Sequence, residues 1–326
     1  MAFDSLRKKK VRQEWNTPLL AYLSDLHDIR FHYFGFPGIE AHDIVLWRNY
    51  IETVTAFEAP DDHRSGTGER NAAKLELKLV ELGYEPLCYV GFLENIIQTM
   101  VDNRGRSFEP ERFYTLLNLD FMNHLTSRAV IDQVSVPARY ETFSQLASML
   151  KNLWDREGIS GSVWFVTLRE EIDAAQYMQW RQNLDDPSIG SWVDQYNNLD
   201  HPMGNNLLRN PFKLKAFLYK TIKAALEGVR FSCYWYPMVL YVGDSPNSRM
   251  AHFMILSHAN HIGNAAPVNL QTAETFLNSN ILEFTDDEVR DFESGQASAG
   301  FSSFVRDAFA QIQFPFKYPL LANSQA

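Results

Sequence analysis

Cysteine is scarce in this sequence, which has only Cys88 and Cys233 among its 326 residues. Two cysteines exclude a disulfide framework and a cysteine-rich zinc site, and so we expect two buried thiols in a reducing compartment. Long hydrophobic runs are also lacking, because the longest, such as residues 234–242, have the length of a strand and not of a membrane span. No signal-peptide core follows the N-terminal basic cluster. These absences predict a cytoplasmic protein that makes no membrane contact.

An excess of positive charge is absent as well. The chain has 30 Lys and Arg against 40 Asp and Glu, a net charge of -10, which argues against a protein that coats nucleic acid. Nucleic acid would therefore bind only to local basic patches. The cluster at residues 7–12 is compatible with a phosphate, an acidic partner or a solvated helix face. Hydrophobic residues reach 45% and aromatic residues 13%, which excludes disorder over most of the chain.

Short apolar runs alternate with amphipathic stretches along the chain. The pattern predicts strands at residues 31–34, 53–58, 86–90, 113–121, 162–168, 231–242 and 251–256, and helices at 18–28, 41–50, 71–82, 142–156 and 212–226. Nearly continuous apolar strands between helices indicate a mostly parallel sheet that is covered on both faces. The last two strands are joined by only a short link around residues 243–247, and must therefore be antiparallel.

Two regions fall outside this alternation. Residues 170–210 are rich in Asn, Asp, Gln and aromatic residues and are interpreted as an insertion or lid after the fifth strand. Its large aromatics, Trp180, Trp192 and Tyr196, would either stack on a base or fill a groove of a partner protein. Residues 262–326 form a C-terminal tail that is expected to contain helices. The insertion and the tail are the candidate surfaces for a protein partner.

The element order resembles the class I S-adenosylmethionine-dependent methyltransferase superfamily. The sequence Phe-Gly-Phe-Pro-Gly at residues 34–38 stands where that family has its glycine-rich loop after the first strand. Glu58 ends the second strand, Gly91 and Phe92 follow the third, and the run 118–121 ends the fourth. The resemblance implies a Rossmann-like seven-stranded sheet with an antiparallel last strand. The methyltransferase-like domain would span residues 30–261, between an N-terminal helical segment at 1–29 and the tail at 262–326.

The resemblance assigns roles to these positions, with S-adenosylmethionine as the cofactor. Gly35 and Gly38 would let the backbone approach the methionine part of the cofactor, and Glu58 would accept hydrogen bonds from its ribose. Phe92 would lie on the adenine side. The remaining candidates, at the end of the fourth strand, are Asn118 for the cofactor and, for catalysis, Asp120 and His124. His124 would be a general base near the transferred methyl group, or else a polar loop residue.

Several positions depart from the family pattern, and two functions therefore stay open. The loop is Gly-Phe-Pro-Gly and not a full GxGxG, and Phe92 replaces an acid. Asp120 is not followed by the Pro-Pro-aromatic triplet of enzymes that methylate base amines. One hypothesis is an active methyltransferase with an unknown acceptor. The other is an inactive methyltransferase-like subunit that binds or regulates within a larger complex, since divergent members occur in bacterial operons, some of them in phage defence.

A metal site is not predicted. The three histidines His252, His258 and His261 lie close together in the sequence, but no carboxylate or cysteine accompanies them at the spacing of metal ligands. We therefore expect no metal ion among the cofactors.

Overall fold

The computed structural model describes residues 5–59, 67–85, 87–110, 114–126, 130–131, 134–135, 139–157, 161–243, 248–259 and 271–295. The strands are β1 (Phe31–Gly35), β2 (Ile51–Glu58), β3 (Leu87–Val90), β4 (Leu116–His124), β5 (Val130–Ile131), β6 (Val134–Ser135), β7 (Gly161–Arg169), β8 (Glu171–Asp173), β9 (His201–Met203), β10 (Leu207–Arg209), β11 (Phe231–Trp235), β12 (Val239–Val242), β13 (Arg249–Ala259) and β14 (Leu282–Glu283).

The helices are α1 (Leu6–Lys10), α2 (Thr17–His27), α3 (His42–Leu46), α4 (Thr67–Glu81), α5 (Leu93–Thr99), α6 (Arg139–Glu157), α7 (Ala174–Gln182), α8 (Pro187–Asp194), α9 (Pro211–Gly228), α10 (Ala273–Leu277) and α11 (Asp286–Glu293). A π-helical stretch, Val11–Asn16, joins α1 to α2 and is called the π segment below. None of the helices in the described ranges is long and apolar enough to cross a membrane.

The main sheet has the strand order β14-β12-β13-β7-β4-β1-β2-β3, and β11 also pairs with β13. The neighbouring strands β3 and β2, β2 and β1, β1 and β4, and β4 and β7 pair in parallel. By contrast, β13 is antiparallel to β7, β11 and β12. The long strand β13 is buried along most of its length, as its apolar sequence requires. The predicted α/β architecture, a Rossmann-like and mostly parallel sheet with an antiparallel last strand, is confirmed.

The described part of the sheet has nine strands, whereas the sequence predicted seven. The predicted strand 231–242 is divided into β11 and β12 at residues 236–238, and both halves pair with β13. Pro237 lies at the division, where it has no N–H to donate to the neighbouring strand. The additional edge strand, β14, comes from the C-terminal tail and pairs in parallel with β12.

Side chains alternate between two faces of the sheet, and each face has its own core. On the first face, Leu116 of β4 packs with residues of α2, α3 and α4, such as Leu20, Ile44 and Leu75. On the second face, the next residue of β4, Leu117, packs in a cluster that includes residues of α5, α6 and α9. Helices therefore cover both faces, as the continuous apolar strands predicted.

The N-terminal helix is longer than the predicted helix at 18–28. It begins after Ser5, whose hydroxyl accepts a hydrogen bond from the Lys8 backbone N–H at 3.2 Å, and it ends at His27, where Asp28 takes a left-handed conformation. Trp15, Leu19 and other residues of its second half are fully buried on the first face. This helix and β14 share the core and the sheet of residues 30–259, and the domain boundaries at 29 and 262 stay predictions.

The insertion at 170–210 folds into α7, α8 and a small sheet of β8, β10 and β9. Its aromatic side chains pack against α9: Trp180 stacks on Phe217 with 4.9 Å between ring centroids, and Tyr196 stacks on Phe212 at 3.9 Å. Trp192 is 8% exposed and contacts both Tyr196 and Phe212. These rings therefore stabilise the fold internally and do not form the open stacking surface that the sequence suggested.

Candidate functional site

The turn after β1 is built around two glycines that differ in their surroundings. Gly35 lies between Ala56 of β2 and Asn118 of β4. A Cβ at Gly35 would lie 2.0 Å from the carbonyl oxygen of Asn118, so only glycine allows these strands to pair. Gly38 has φ +66°, and a Cβ added there would meet no heavy atom of the described residues within 4 Å. Only Gly38 of the two therefore has the surroundings expected of a position where backbone approaches a ligand.

Glu58 and Asp120 lie on either side of this turn. Glu58 is two residues beyond Ala56, and Asp120 is two residues beyond Asn118, the two residues that pair with Gly35. Because neighbouring strands are about 4.8 Å apart, the two strand ends that carry these acids are about 10 Å apart. The parallel topology thus brings Gly35, Glu58 and Asp120 to one edge of the sheet. Their roles there stay predictions.

The Glu58 carboxylate is half-buried and accepts only a weak hydrogen bond from the described residues. Its Oε1 accepts a hydrogen bond from the side-chain amide of Asn71 on α4 at 3.4 Å, a long contact. Burial raises the pKa of Glu58, and the Asn71 hydrogen bond opposes this effect. Among the residues that the structure describes, no cation forms an ion pair with Glu58. With respect to the described residues, the carboxylate therefore keeps capacity to accept hydrogen bonds from a ligand.

The third strand ends beside Glu58, where the Gly91 N–H donates to the Glu58 carbonyl oxygen at 2.9 Å. Phe92 follows as the N-cap residue of α5, is half-buried, and supplies no side-chain cap. The loop after α5 is held by Asp102, which accepts a hydrogen bond from the Val90 N–H at 3.0 Å. Phe92 is thus at the same sheet edge as Glu58, where it offers an apolar ring.

Asn118 is buried and already hydrogen-bonded within the protein. Its side-chain amide donates to the Tyr33 hydroxyl at 3.0 Å and to Oδ2 of Asp43 at 2.6 Å. Asp43 lies in the first turn of α3, just after the glycine turn. Both amide hydrogens are therefore used internally, which leaves Asn118 with only its oxygen for a ligand.

Asp120 forms an ion pair with Lys8 of α1, and Asp43 forms one with Arg12 of the π segment. Burial raises the pKa of Asp43 and outweighs the opposing effect of Arg12 and Lys8. Burial acts to lower the pKa of Lys8, but Asp120 and Asp43 outweigh it and raise that pKa. Two cations thus neutralise two carboxylates at the edge of the site.

Sequence reasoning missed these partners. The basic cluster at 7–12 was expected to contact a phosphate or an acidic partner or to form a solvated helix face, whereas its Arg7, Lys8 and Arg12 pair with carboxylates of this chain. A signal was present, because Lys8, Arg12 and Asn16 recur at intervals of four and so share one helix face. The acids that they meet are distant in sequence and carry no such signal.

His252 completes the polar contacts of the N-terminal helix. Its Nδ1 lies 2.8 Å from the Thr167 hydroxyl, and its Nε2 lies 2.8 Å from Oδ1 of Asn16. Burial lowers the pKa of His252 to about 3, which matches a neutral ring that donates to Asn16 and accepts from Thr167. Within the described ranges, no group of three His, Cys, Asp or Glu side chains is arranged to hold a metal ion. His261 lies outside those ranges.

His124 is the last residue of β4, and its backbone is paired with Arg169 of β7. Its side chain lies outside the described residues, and the role of a general base stays a prediction.

No protein-family model matches the sequence, and no curated protein is significantly similar to it. Similar solved structures include the O-methyltransferase TomG from Streptomyces achromogenes in complex with SAM, with 12% identity, 79% of this chain and 91% of that chain covered, and a TM-score of 0.35. Magnesium protoporphyrin IX methyltransferase (ChlM) from Synechocystis with bound SAH has 10% identity, coverages of 79% and 89%, and a TM-score of 0.36. The PH0226 protein from Pyrococcus horikoshii has 7% identity, coverages of 80% and 94%, and a TM-score of 0.37.

Structures of methyltransferases are thus similar to this chain. All three TM-scores are below 0.5, and the fold described above rests on the strand order of the chain itself.

Proposed function

We propose that this protein is a methyltransferase-like protein that binds S-adenosylmethionine at the edge formed by the glycine turn, Glu58 and Phe92. The position and state of Glu58 support the proposal most. Glu58 is half-buried, has one weak hydrogen-bond partner among the described residues, and lies beside an open glycine turn at the carboxyl ends of parallel strands. Ligands of open α/β sheets bind in this place.

The residues at this edge fit the parts of a nucleoside. Glu58 would accept hydrogen bonds from the two ribose hydroxyls, which a carboxylate with free lone pairs can do. The backbone around Gly38 would lie against the ligand, because no side chain of the described residues fills the space beside it. Phe92 would contact the adenine ring with its apolar face. When bound, the cofactor would supply an electrophilic methyl group.

In the active form of this proposal, Asp120 would border the position of the methyl acceptor, whose identity is open. Catalysis would come mainly from holding the acceptor in line with the methyl group. His124 would be the candidate base at the end of the same strand.

A second candidate function is a methyltransferase-like subunit that binds the nucleoside without transferring the methyl group. The ion pair between Lys8 and Asp120 favours it, because the candidate catalytic carboxylate is already neutralised. The two internal hydrogen bonds of Asn118 favour it also. A turnover assay tests this second function, with S-adenosylmethionine and an extract of small molecules, RNA and protein as possible acceptors. Formation of the demethylated product by the wild-type protein, and its loss in Asp120→Asn, would exclude this function.

Titration calorimetry with S-adenosylmethionine and with its demethylated product tests the binding proposal. Glu58→Gln is expected to weaken binding about tenfold or more, because hydrogen bonds to a charged group contribute about 1.5–3 kcal/mol. Glu52→Gln is a matched control, since Glu52 lies at the other end of β2 and pairs with Arg30 at 3.0 Å. The proposal would be contradicted if neither ligand bound the wild-type protein or either variant, or if both variants lost the same amount of affinity.

A further inference from the structure

The two halves of the N-terminal helix are held in place by different forces. In the second half, the fully buried side chains Trp15, Leu19 and Leu20 anchor the helix by apolar contact. In addition, the indole N–H of Trp47 donates to the Thr17 hydroxyl at 2.9 Å. Apolar burial of this extent fixes the second half to the sheet.

The first half, α1, is held mainly by charged side chains. Lys8 pairs with Asp120, and Arg7 pairs with Asp286 of α11. Lys10 is buried, pairs with Glu14 and lies 5.3 Å from the ring centroid of Phe284. Leu6 is only half-buried. The side chains in the Arg7 and Lys8 ion pairs are partly exposed, and ion pairs of this kind are weaker than apolar burial and depend on salt.

The π segment spans the boundary between these halves, and its Trp15 belongs to the second half. In it, the Thr17 N–H donates to the carbonyl oxygen of Arg12, five residues back, and the Thr17 hydroxyl donates to the same oxygen at 2.6 Å. π-helical turns are rare and often found at functional sites. The hydrogen-bond pattern of the helix thus changes at the point where its anchoring changes from apolar to charged.

We propose that α1 is a latch, hinged at the π segment, which closes over Asp120 through Lys8 and opens when a cationic ligand group replaces Lys8. The inference that the ligand is S-adenosylmethionine rests on the proposed function. A sulfonium or ammonium group near Asp120 would compete with the Lys8 ammonium for the same carboxylate. Arg12 would stay with Asp43 at the hinge.

Hydrogen–deuterium exchange of the unliganded protein tests the latch without any ligand. Lys8→Met keeps the length of the side chain and removes its charge. We expect faster amide exchange at residues 6–12 and unchanged exchange at 17–27, because only the first half loses an anchor. Lys9→Met is the control, since the Lys9 side chain is exposed. Unchanged exchange in Lys8→Met, or equal acceleration across 6–27, would overturn the proposal.

Calorimetry with two ligands tests the exchange of cations. Lys8→Met is expected to raise the affinity for S-adenosylmethionine about fivefold, which corresponds to an ion pair of about 1 kcal/mol, and to leave the affinity for neutral 5′-methylthioadenosine unchanged. Equal effects on both ligands would refute the competition. If neither ligand binds the wild-type protein, the proposed function fails, while the exchange experiment still decides whether α1 opens.

Discussion

Replacing Gly35 by alanine is expected to destabilise the fold far more than the same change at Gly38. At Gly35, the new Cβ would lie 2.0 Å from the carbonyl oxygen of Asn118 and 2.8 Å from its carbonyl carbon. Both are backbone atoms of the neighbouring strand, and so neither can move aside like a flexible side chain. Relief requires the end of β1 to separate from β4.

The cost follows from the contacts at this strand end. Separation would break the Phe36 N–H···O=C Asn118 hydrogen bond, which is 3.1 Å long, and would disturb the pairing of Gly35 with Asn118. Lost hydrogen bonds cost about 1 kcal/mol each, and overpacking costs about 1–3 kcal/mol. We expect a loss of about 2–4 kcal/mol in the free energy of unfolding, a large share of the total stability of a typical protein.

Gly38 provides the matched control in the same turn. A Cβ there would meet no heavy atom of the described residues within 4 Å, and the remaining cost is the left-handed conformation at φ +66°. That conformation costs an alanine about 1 kcal/mol. Urea unfolding followed by tryptophan fluorescence and by circular dichroism measures both variants. A difference of less than about 1 kcal/mol between them would refute the assignment of Gly35 to strand packing.

Two further results are expected. The folded-state pKa of His252 is about 3 and its unfolded value is about 6.5, and so stability should fall by about 1.4 kcal/mol for each pH unit as the pH is lowered from about 6 to about 3. In urea unfolding, His252→Gln should flatten this slope while His201→Gln should not. Equal slopes in both variants would contradict this prediction. In the same assay, Trp192→Ala should lower the free energy of unfolding by about 3–5 kcal/mol, and Leu199→Ala, at an exposed position, by less than about 1 kcal/mol. A Trp192→Ala variant as stable as the wild type would instead support the insertion as a docking surface.

Local sequence signals were sufficient for the main sheet. Strands that are buried on both faces have continuous apolar sequences, and so β4, β7 and β13 could be predicted from composition alone. The division of the sixth predicted strand was also detectable, because Pro237 lies inside it. The helix α5 was missed since its seven residues are too few for a clear periodic pattern.

The site could be predicted only where topology determines it. Parallel strands have their carboxyl ends at one edge, and this rule together with the family resemblance predicted Glu58 and Asp120 near the glycine turn. The partners of Asp120 and Asn118 followed no such rule, because Lys8 and Asp43 come from other elements and meet them only through tertiary packing. Sequence reasoning therefore identified the acids but not their electrostatic state.

The basic cluster near the N-terminus bears on which partners the protein can bind. Its members Arg7, Lys8, Lys10 and Arg12 are each paired with a carboxylate of the same chain. A phosphate would have to displace those carboxylates, and it would approach a protein with a net charge of -10. Nucleic-acid binding by these four side chains would therefore require α1 to open first. An RNA or DNA titration should accordingly show no binding by this segment to the closed protein, and Asp120→Asn, which frees Lys8, should be the variant in which binding appears.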